Sequence, residues 1–330
     1  MDRVTDVEQL PSRTDIPSNS TPFSHTFRGA TDGPGVDRLE ITMPISTMVG
    51  PSEWGGRRRG RFRVDLEVGN GVAFLTAGPS LGGGKSASLD FNPSRILGDD
   101  LFLCPPSRVI ETFDLVLCSG VLDRVGPIGS PIDARVRRVD VTRDFRVEDP
   151  LVFIEALWGT RSPYEKRRIL HRDQTTGGVS GLGVSTGKQG WVNLYDRGLR
   201  VGLRDLAGLR WEAQCRSAWA ARGGIRRVGD ITEGAVRRLA ADRWEWSRMG
   251  ETIAGRSSVA RAVWALDISP ARKRSLLGHI VAVGEGIGDE LKSGTLRHYT
   301  ELKERLGFVL AQGDLPPARL DFEFGAAVPA

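Results

Sequence analysis

A stretch with the alternation of a β-strand places several side chains that can do chemistry on one face. With a period of two over residues 189–198, this face carries Trp191, Asn193, Tyr195 and Arg197. The opposite face is apolar and includes Val192. A tyrosine hydroxyl can act as a nucleophile, and the Asp-Arg-Gly sequence after Tyr195 suggests a turn at which a substrate could reach the phenol. The alternative is a tyrosine that is half-buried on an ordinary sheet.

Two other segments alternate in the same way and supply carboxylates. In residues 134–146, one strand face is apolar and the other carries Arg138, Asp140, Thr142 and Asp144. In residues 209–216, the polar face carries Arg210, Glu212, Gln214 and Arg216. Carboxylates on one strand face can share a hard divalent cation through their oxygens. The alternative is a surface strand whose acids pair with its own arginines.

Together, the three segments predict a sheet with an apolar back and a front that gathers acids, one tyrosine and arginines. The open face of an ordinary antiparallel sheet carries mixed polar residues, so this concentration predicts a metal-and-phosphate site. The predicted fold is α+β, with an antiparallel sheet core that carries these strands, flanking helices and a helical C-terminal part. The predicted divisions are a flexible N-terminal arm (1–34), a catalytic α+β domain (35–220), a helical region that binds DNA or a partner (221–315) and a loose tail (316–330).

Composition limits the classes of function. The 330-residue chain has 46 Lys and Arg against 41 Asp and Glu, a net charge of +5, which is compatible with a nucleic-acid partner. The three cysteines, Cys104, Cys118 and Cys215, are too widely spaced to indicate a disulfide framework or a zinc knuckle. No signal peptide and no apolar run of about 18 residues is recognisable, so a cytoplasmic protein without a membrane segment is expected.

Local patterns predict the elements around these strands. Residues 105–122, 148–157 and 162–170 read as helices, the last with a capping box at 162–165. Helices are also predicted at 230–249, 257–266, 269–283 and 291–306, with Trp244, Trp246 and Trp264 expected in the core rather than as platforms for stacked bases. The basic run 57–61 is predicted to be a loop, either a solvated turn or a phosphate contact.

The Gly-rich segment 78–86 superficially resembles a phosphate-binding loop. Five residues separate Gly78 from Gly84-Lys85, whereas the P-loop requires four, and no helical period follows Ser86. A phosphate cradle needs its loop to open directly into a helix N-terminus. A loop between strands is therefore predicted here, and an ATPase is not.

The three strand segments resemble those of the rolling-circle replication initiators of plasmids and filamentous-type phages. Residues 192–198 (VNLYDRG) are similar to the family's block that holds the nucleophilic tyrosine. Residues 138–144 (RVDVTRD) resemble its strand with a metal-binding acid, and residues 209–214 (LRWEAQ) its Arg-aromatic-Glu strand. The order and spacing of the three blocks agree with the family, with a Gly/Ser-rich hairpin before the tyrosine.

The resemblance implies a set of roles for these residues. Tyr195 is the nucleophile, assisted by Arg197 and Asn193; Asp140, Asp144 and Glu212 bind Mg²⁺ or Mn²⁺; and Arg138, Lys188, Arg200 and Arg210 contact DNA. The implied partners are origin DNA, a host helicase and polymerase, and a second copy of the chain in a homodimer. The sequence departs from the family at Asn193, where some relatives have Arg, and at Arg197, where Lys is usual; it also lacks the paired-histidine metal motif of other rolling-circle enzymes. The alternative is a non-catalytic basic DNA-binding protein in which Tyr195 stacks on a base.

Overall fold

The computed structural model describes residues 33–48, 57–58, 61–79, 84–98, 103–158, 165–173, 177–185, 187, 190–201, 208–284, 301, 304–307, 309–310, 317–323 and 325–329. The strands are β1 (Gly35–Ile45), β2 (Arg57–Arg58), β3 (Arg61–Val68), β4 (Gly71–Pro79), β5 (Lys85–Phe91), β6 (Arg135–Phe145), β7 (Arg167–Arg172), β8 (Val179–Ser185), β9 (Gly190–Asp196), β10 (Leu209–Arg216), β11 (Ile253–Ala254), β12 (Val309–Leu310), β13 (Ala318–Asp321) and β14 (Ala326–Pro329). The helices are α1 (Pro93–Ile96), α2 (Val109–Val116), α3 (Leu122–Val125), α4 (Pro150–Trp158), α5 (Arg197–Val201), α6 (Ser217–Arg222), α7 (Glu233–Ser247), α8 (Arg256–Ala265) and α9 (Pro270–Gly284).

One large sheet organises the protein. Its ten strands run in the order β2-β3-β4-β5-β1-β6-β10-β9-β8-β7, and every neighbouring pair is antiparallel. The α+β prediction is confirmed, and the three strands proposed to carry chemistry, β6, β10 and β9, are neighbours. The Gly-rich segment leads from β4 into β5, so the strand predicted after it is confirmed.

The apolar back of the sheet forms the core because alternate residues of its strands face inward. Val139 and Val141 of β6 and Leu39 of β1 are fully buried there. Behind β6 and β10, an aromatic cluster is formed by Phe145, Trp211, Trp244 and Phe322, with ring centroids 5.1–6.5 Å apart. Each fully buried side chain of this size contributes about 1.5–3 kcal/mol, so the cluster fixes the strands that carry the polar front.

The C-terminal segment is built into this structure. Strands β11 to β14 form a second sheet in the order β12-β11-β13-β14. The turn after β13 meets the back of β6: the Arg143 guanidinium donates to the carbonyls of Phe322 (3.1 Å) and Glu323 (2.7 Å), and the Arg146 N–H donates to Gly325 (2.9 Å). We call this turn, residues 322–325, the C-terminal clasp. The predicted loose tail is therefore wrong. Hydrogen bonds to a distant strand order these residues, and their local composition gives no sign of that order. The domain boundaries themselves stay a prediction.

Three other local predictions are wrong. Residues 167–172 form strand β7 rather than a helix, since pairing with β8 outweighs local preference at this edge. Arg57 and Arg58 form a short strand on β3 rather than a loop. Trp264 is 63% exposed on α8, whereas Trp244 and Trp246 pack against the core as expected. Residues 162–164 of the capping box predicted at 162–165 lie outside the described residues, as do most of the predicted arm (1–32) and most of the predicted helix at 291–306.

The other predicted helices are present, with shifted ends. Residues 109–125 are helical with an irregular turn in the middle, where Gly120 has a φ of 99°. Thr232 caps α7 by accepting a hydrogen bond from the Ala235 N–H, as expected at a helix N-terminus. None of the helices in the described ranges is long and apolar enough to cross a membrane.

Candidate active site

The polar faces of β6, β10 and β9 form one surface, with β10 in the middle. In register, Arg210 of β10 lies between Asp144 of β6 and Tyr195 of β9, and Glu212 lies opposite Asn193. Side chains directly opposite each other in an antiparallel pair have Cβ atoms about 4.5–5.5 Å apart. The structure therefore brings together most of the side chains that the sequence singled out. Arg197 begins helix α5 instead of continuing the strand, and Lys188 lies outside the described residues.

The Tyr195 hydroxyl donates a hydrogen bond to Glu212 Oε2 at 3.3 Å. The Arg200 guanidinium lies over the Tyr195 ring, 4.3 Å from its centroid. Burial raises the pKa of the phenol above its ordinary value near 10, and the charge of Glu212 raises it further, whereas Arg210 and Arg200 lower it. The hydroxyl is therefore protonated at neutral pH, and the atom that could accept its proton is already in contact with it.

A groove of about 810 Å³ opens onto Tyr195. Its lining includes Trp191 and Asn193 from β9, His171 and Arg172 from β7, and Arg200 from α5. Arginine, amide and aromatic groups can contact the phosphates and planar bases of a flexible single strand, although the carboxylates of Asp173, Asp196 and Glu212 also line the groove. His171 was missed by the sequence analysis because its segment was predicted to be a helix.

Two glycines of β8 keep this part of the groove clear. A Cβ at Gly181 would lie 2.9 Å from the Tyr195 Cβ, and a Cβ at Gly183 would lie 2.7 Å from His171 Nε2 and 3.1 Å from Asn193 Oδ1. Such approaches are closer than ordinary van der Waals contact, so a side chain at either position must displace a neighbour. Because these two positions of β8 have no side chain, His171 of β7 can lie close to Asn193 of β9 across the strand.

A buried ion triad lies at the other end of the same face. Arg210 holds Asp144 with two hydrogen bonds, of 2.7 and 2.9 Å, and Arg197 Nη1 donates to Asp144 Oδ2 at 2.7 Å. All three side chains are less than a tenth exposed. Asp144 therefore couples β6 to β10 and to the first residue of α5, the helix that carries Arg200.

Asp140 is the second buried acid of the face. Arg138 donates two hydrogen bonds to it, at 2.7 and 2.5 Å. Burial nevertheless raises the pKa of Asp140 to about 7; Arg138 lowers it, and the charges of Glu212 and Asp37 raise it. Asp37, on β1, also lies 3.7 Å from Arg210 Nη1. The sequence analysis missed Asp37 because nothing local to β1 shows that this strand pairs with β6.

The predicted acids do not fit a metal ion in this arrangement. The Asp144 and Asp140 oxygens are held by arginines, and the Glu212 oxygens accept from Tyr195 and from the Gln214 amide (3.1 Å). Within the described ranges, no three acidic, His or Cys residues are grouped so as to hold a metal ion. The cofactor assignment to Mg²⁺ or Mn²⁺ stays a prediction of the sequence.

Comparison with known proteins adds little to the site itself. No protein-family model matches the sequence, and no curated protein matches it. Among solved structures, the chain is similar to a rolling circle replication initiator protein from Geobacillus stearothermophilus, with a TM-score of 0.33 and 12% identity over 65% of this chain and 84% of that one. A similarity this low supports no conclusion about function, which must come from the residues of the site.

The raised pKa of Asp140 predicts how stability changes with pH. Between its ordinary pKa near 3.9 and the folded value of about 7, the folded protein keeps a proton that the unfolded chain has lost. This component of the free energy of unfolding therefore falls as pH rises from about 4 to about 7, by at most about 1.4 kcal/mol per pH unit. We expect Asp140→Asn to remove this pH-dependent component, so that the free energy of unfolding of the variant rises relative to that of the wild type as pH rises.

Urea unfolding of both proteins between pH 4.5 and 8 measures this difference. Asp65→Asn is the matched control, because Asp65 is 58% exposed in its side chain and its pair with Arg63 lies on the surface. A wild-type minus Asp140→Asn difference that stays constant over this range contradicts the prediction.

Proposed function

We propose that this protein is a DNA strand-nicking and strand-joining enzyme that uses Tyr195 as its nucleophile. The observation that carries the proposal is the hydrogen bond from the Tyr195 hydroxyl to the Glu212 carboxylate at the open groove. A nucleophile in hydrogen-bond reach of a base is the signature of covalent catalysis.

The proposed reaction balances with residues of this chain. The Tyr195 oxygen attacks the phosphorus of a phosphodiester while its proton passes to Glu212 Oε2. The new bond joins the tyrosine oxygen to phosphorus, and the bond from phosphorus to the 3′ oxygen breaks. The 3′ oxygen takes a proton from solvent, which leaves a free 3′-OH and a 5′-phosphotyrosyl protein. The reverse reaction rejoins the strand without ATP, because the phosphotyrosyl bond conserves the energy of the phosphodiester.

Arg200 is the cation we assign to the reacting phosphate. It is exposed at the groove, and it already lies over the Tyr195 ring. A guanidinium there can neutralise the charge that develops on the non-bridging oxygens. Arg210 and Arg197 are committed to Asp144, and Arg138 to Asp140, so we assign these three to holding the face in place. The proposed step uses no metal ion, since the acids as arranged do not fit one.

We extend the proposal to replication initiation on the basis of the sequence blocks. A nick at an origin gives a 3′-OH that a host polymerase can extend once a host helicase unwinds the duplex, and rejoining ends the round. The mild positive charge of the chain suits a DNA substrate. Origin DNA, the helicase, the polymerase, the homodimer and a cytoplasmic setting remain predictions.

A doubly labelled substrate tests this proposal. Single-stranded fragments tiled across the protein's own replicon, labelled at both ends with different dyes, are incubated with the protein in Mg²⁺, in Mn²⁺ and in EDTA. We expect the 3′-end label to migrate with the protein in SDS and the 5′-end label to be released on a shorter strand. Mass spectrometry should place the nucleotide on the peptide that contains Tyr195. DNA binding without an adduct, or an adduct on another residue, contradicts the proposal.

A further inference from the structure

A second concave surface lies where β6 begins and β10 ends. We call it the β6–β10 cleft: a cavity of about 550 Å³ whose polar lining is Asp133, Arg135, Ser217, Arg226 and Arg227. None of these residues lines the groove at Tyr195. The chemistry proposed for Tyr195 leaves this surface without a role.

The backbone holds the arginines of the cleft in fixed positions. Arg135 and Arg227 form an isolated β-bridge, and the Val136 N–H donates to the Arg226 carbonyl at 2.9 Å. The Asp230 carboxylate accepts from the backbone N–H groups of Arg226 and Arg227, at 2.9 and 2.8 Å. The segment is therefore preorganised, so a ligand does not have to order it on binding.

The three arginines of the cleft outnumber the two carboxylates beside them. Asp133 pairs with Arg227 at 2.7 Å, and both side chains are more than half exposed. Backbone hydrogen bonds lower the pKa of Asp230, and the charges of Arg227 and Arg226 help to lower it further. Within the described part of the chain, the guanidinium groups of Arg135 and Arg226 form neither an ion pair nor a hydrogen bond. Two guanidinium groups that no side chain contacts, in a concave surface, favour a ligand with phosphate oxygens.

Strand β10 leads from the polar face of the active site to the cleft, since Glu212 and Gln214 line the groove and Ser217, the residue after the strand, lines the cleft. Arg216, exposed at the end of β10, lies on the same strand face as Glu212 and Gln214. Arg137 is also exposed. It lies at a β-bulge, where β6 has one extra residue relative to its partner β1. Arg216 lies four positions after Glu212, or about 13 Å along a strand. An extended single strand, whose phosphates lie farther apart than the roughly 3.4 Å rise of a duplex, covers this distance in fewer than four nucleotide steps.

We propose that the β6–β10 cleft binds the phosphodiester backbone of DNA a few nucleotides from the phosphate that occupies the Tyr195 groove. The inference rests on the proposed function for the identity of the polyanion as DNA, whereas the two guanidinium groups without a side-chain partner are observed independently of that function. Contacts of this kind position the strand and carry no base specificity. The cleft thereby fixes which phosphate reaches Tyr195.

The test compares Arg135→Gln/Arg226→Gln with the wild type on two single-stranded oligonucleotides centred on the nick position. One extends about 1 nucleotide to each side and the other about 10, so that only the longer one spans the distance of about 13 Å from the groove towards the cleft in either direction. We expect the variant to bind the longer strand at least about tenfold more weakly near 0.1 M salt, with a salt slope smaller by about 1.4, or 0.7 for each lost phosphate contact. Binding of the short strand and adduct formation on it should be unchanged.

Two controls separate a lost contact from a disturbed fold. Arg63→Gln/Arg261→Gln removes two exposed arginines on β3 and α8 and should leave the salt slope unchanged. Arg135→Lys/Arg226→Lys keeps the charge and should recover most of the salt slope. An unchanged slope for the Gln variant on the longer strand, or an equal loss on both strands, overturns the proposal. If no Tyr195 adduct forms with any protein while the slope still changes, the cleft stands and the nicking function fails.

Discussion

Tyr195→Phe is expected to abolish the covalent protein–DNA adduct while leaving DNA binding and folding intact. The substitution removes one oxygen, the atom proposed to attack phosphorus, and keeps the ring that packs under Arg200. Because the hydroxyl is buried and makes one hydrogen bond, to Glu212, its loss should change the free energy of unfolding by no more than about 1.5 kcal/mol. Removing a nucleophile that acts together with its base lowers the turnover rate by several orders of magnitude. The loss is about 10⁶-fold when the nucleophile of a hydrolase's catalytic triad is replaced.

The adduct is measured by SDS gel with the 3′-labelled strand, and binding by fluorescence anisotropy. The sequence contains two other tyrosines, and Tyr164→Phe and Tyr299→Phe are the matched controls. Both should form adduct at the wild-type rate. Glu212→Gln should lower the rate without abolishing DNA binding, because it removes the proton acceptor and keeps the shape of the side chain. Adduct formation by Tyr195→Phe at the wild-type rate would show that the nucleophile lies elsewhere.

Asp144→Ala is expected to have the largest effect on stability among single substitutions in the site. It takes away the carboxylate that neutralises Arg197 and Arg210, whose side chains are 4% and 8% exposed. Breaking a buried ion pair by removing one partner costs about 3–5 kcal/mol, because charge stays buried without its compensation. Since α5 begins at Arg197 and carries Arg200, the rate of adduct formation should also fall.

Chemical unfolding measures the first effect and the adduct assay the second. Asp65→Ala is the control, since its ion pair with Arg63 is more than half exposed and such pairs contribute about 1 kcal/mol or less. If Asp144 instead acted only as a metal ligand, Asp144→Ala would lose adduct formation with little loss of stability. A change in unfolding free energy equal to that of Asp65→Ala contradicts the structural role.

The strands of the site could be predicted from the sequence because their signal is local. In β6, β9 and β10, apolar and polar residues alternate, and a period of two decides both the strand and the face of each side chain. The same signal fails at β7, where Ile169 and Leu170 are adjacent and partly exposed at the sheet edge. Arg197 was placed on the strand face because nothing in the alternation marks where β9 stops and α5 starts.

The partner of each acid could not be predicted, because that depends on which strands meet. A carboxylate beside a cation site and a carboxylate beside arginines look alike in one strand's sequence. The register that puts Arg210 opposite Asp144, and the place of Asp37 on β1, arise from pairings between distant segments. Long-range contacts of this kind also explain why the loose tail predicted at 316–330 is wrong.

The C-terminal clasp has a consequence for the order in which the chain acquires its structure. Arg143 and its acceptor Phe322 are 179 residues apart, so the segment next to Asp144 gains this contact only after residue 322 has been synthesised. A Cβ at Gly325 would lie 2.9 Å from the Asp144 carbonyl, so the backbones of the clasp and of β6 are in close contact here. Closure over such a separation is slow compared with hairpin formation. A nascent chain whose β6, β9 and β10 have already paired can therefore hold the ion triad, but it still lacks the clasp's hydrogen bonds to Arg143 and Arg146, the residues that flank Asp144.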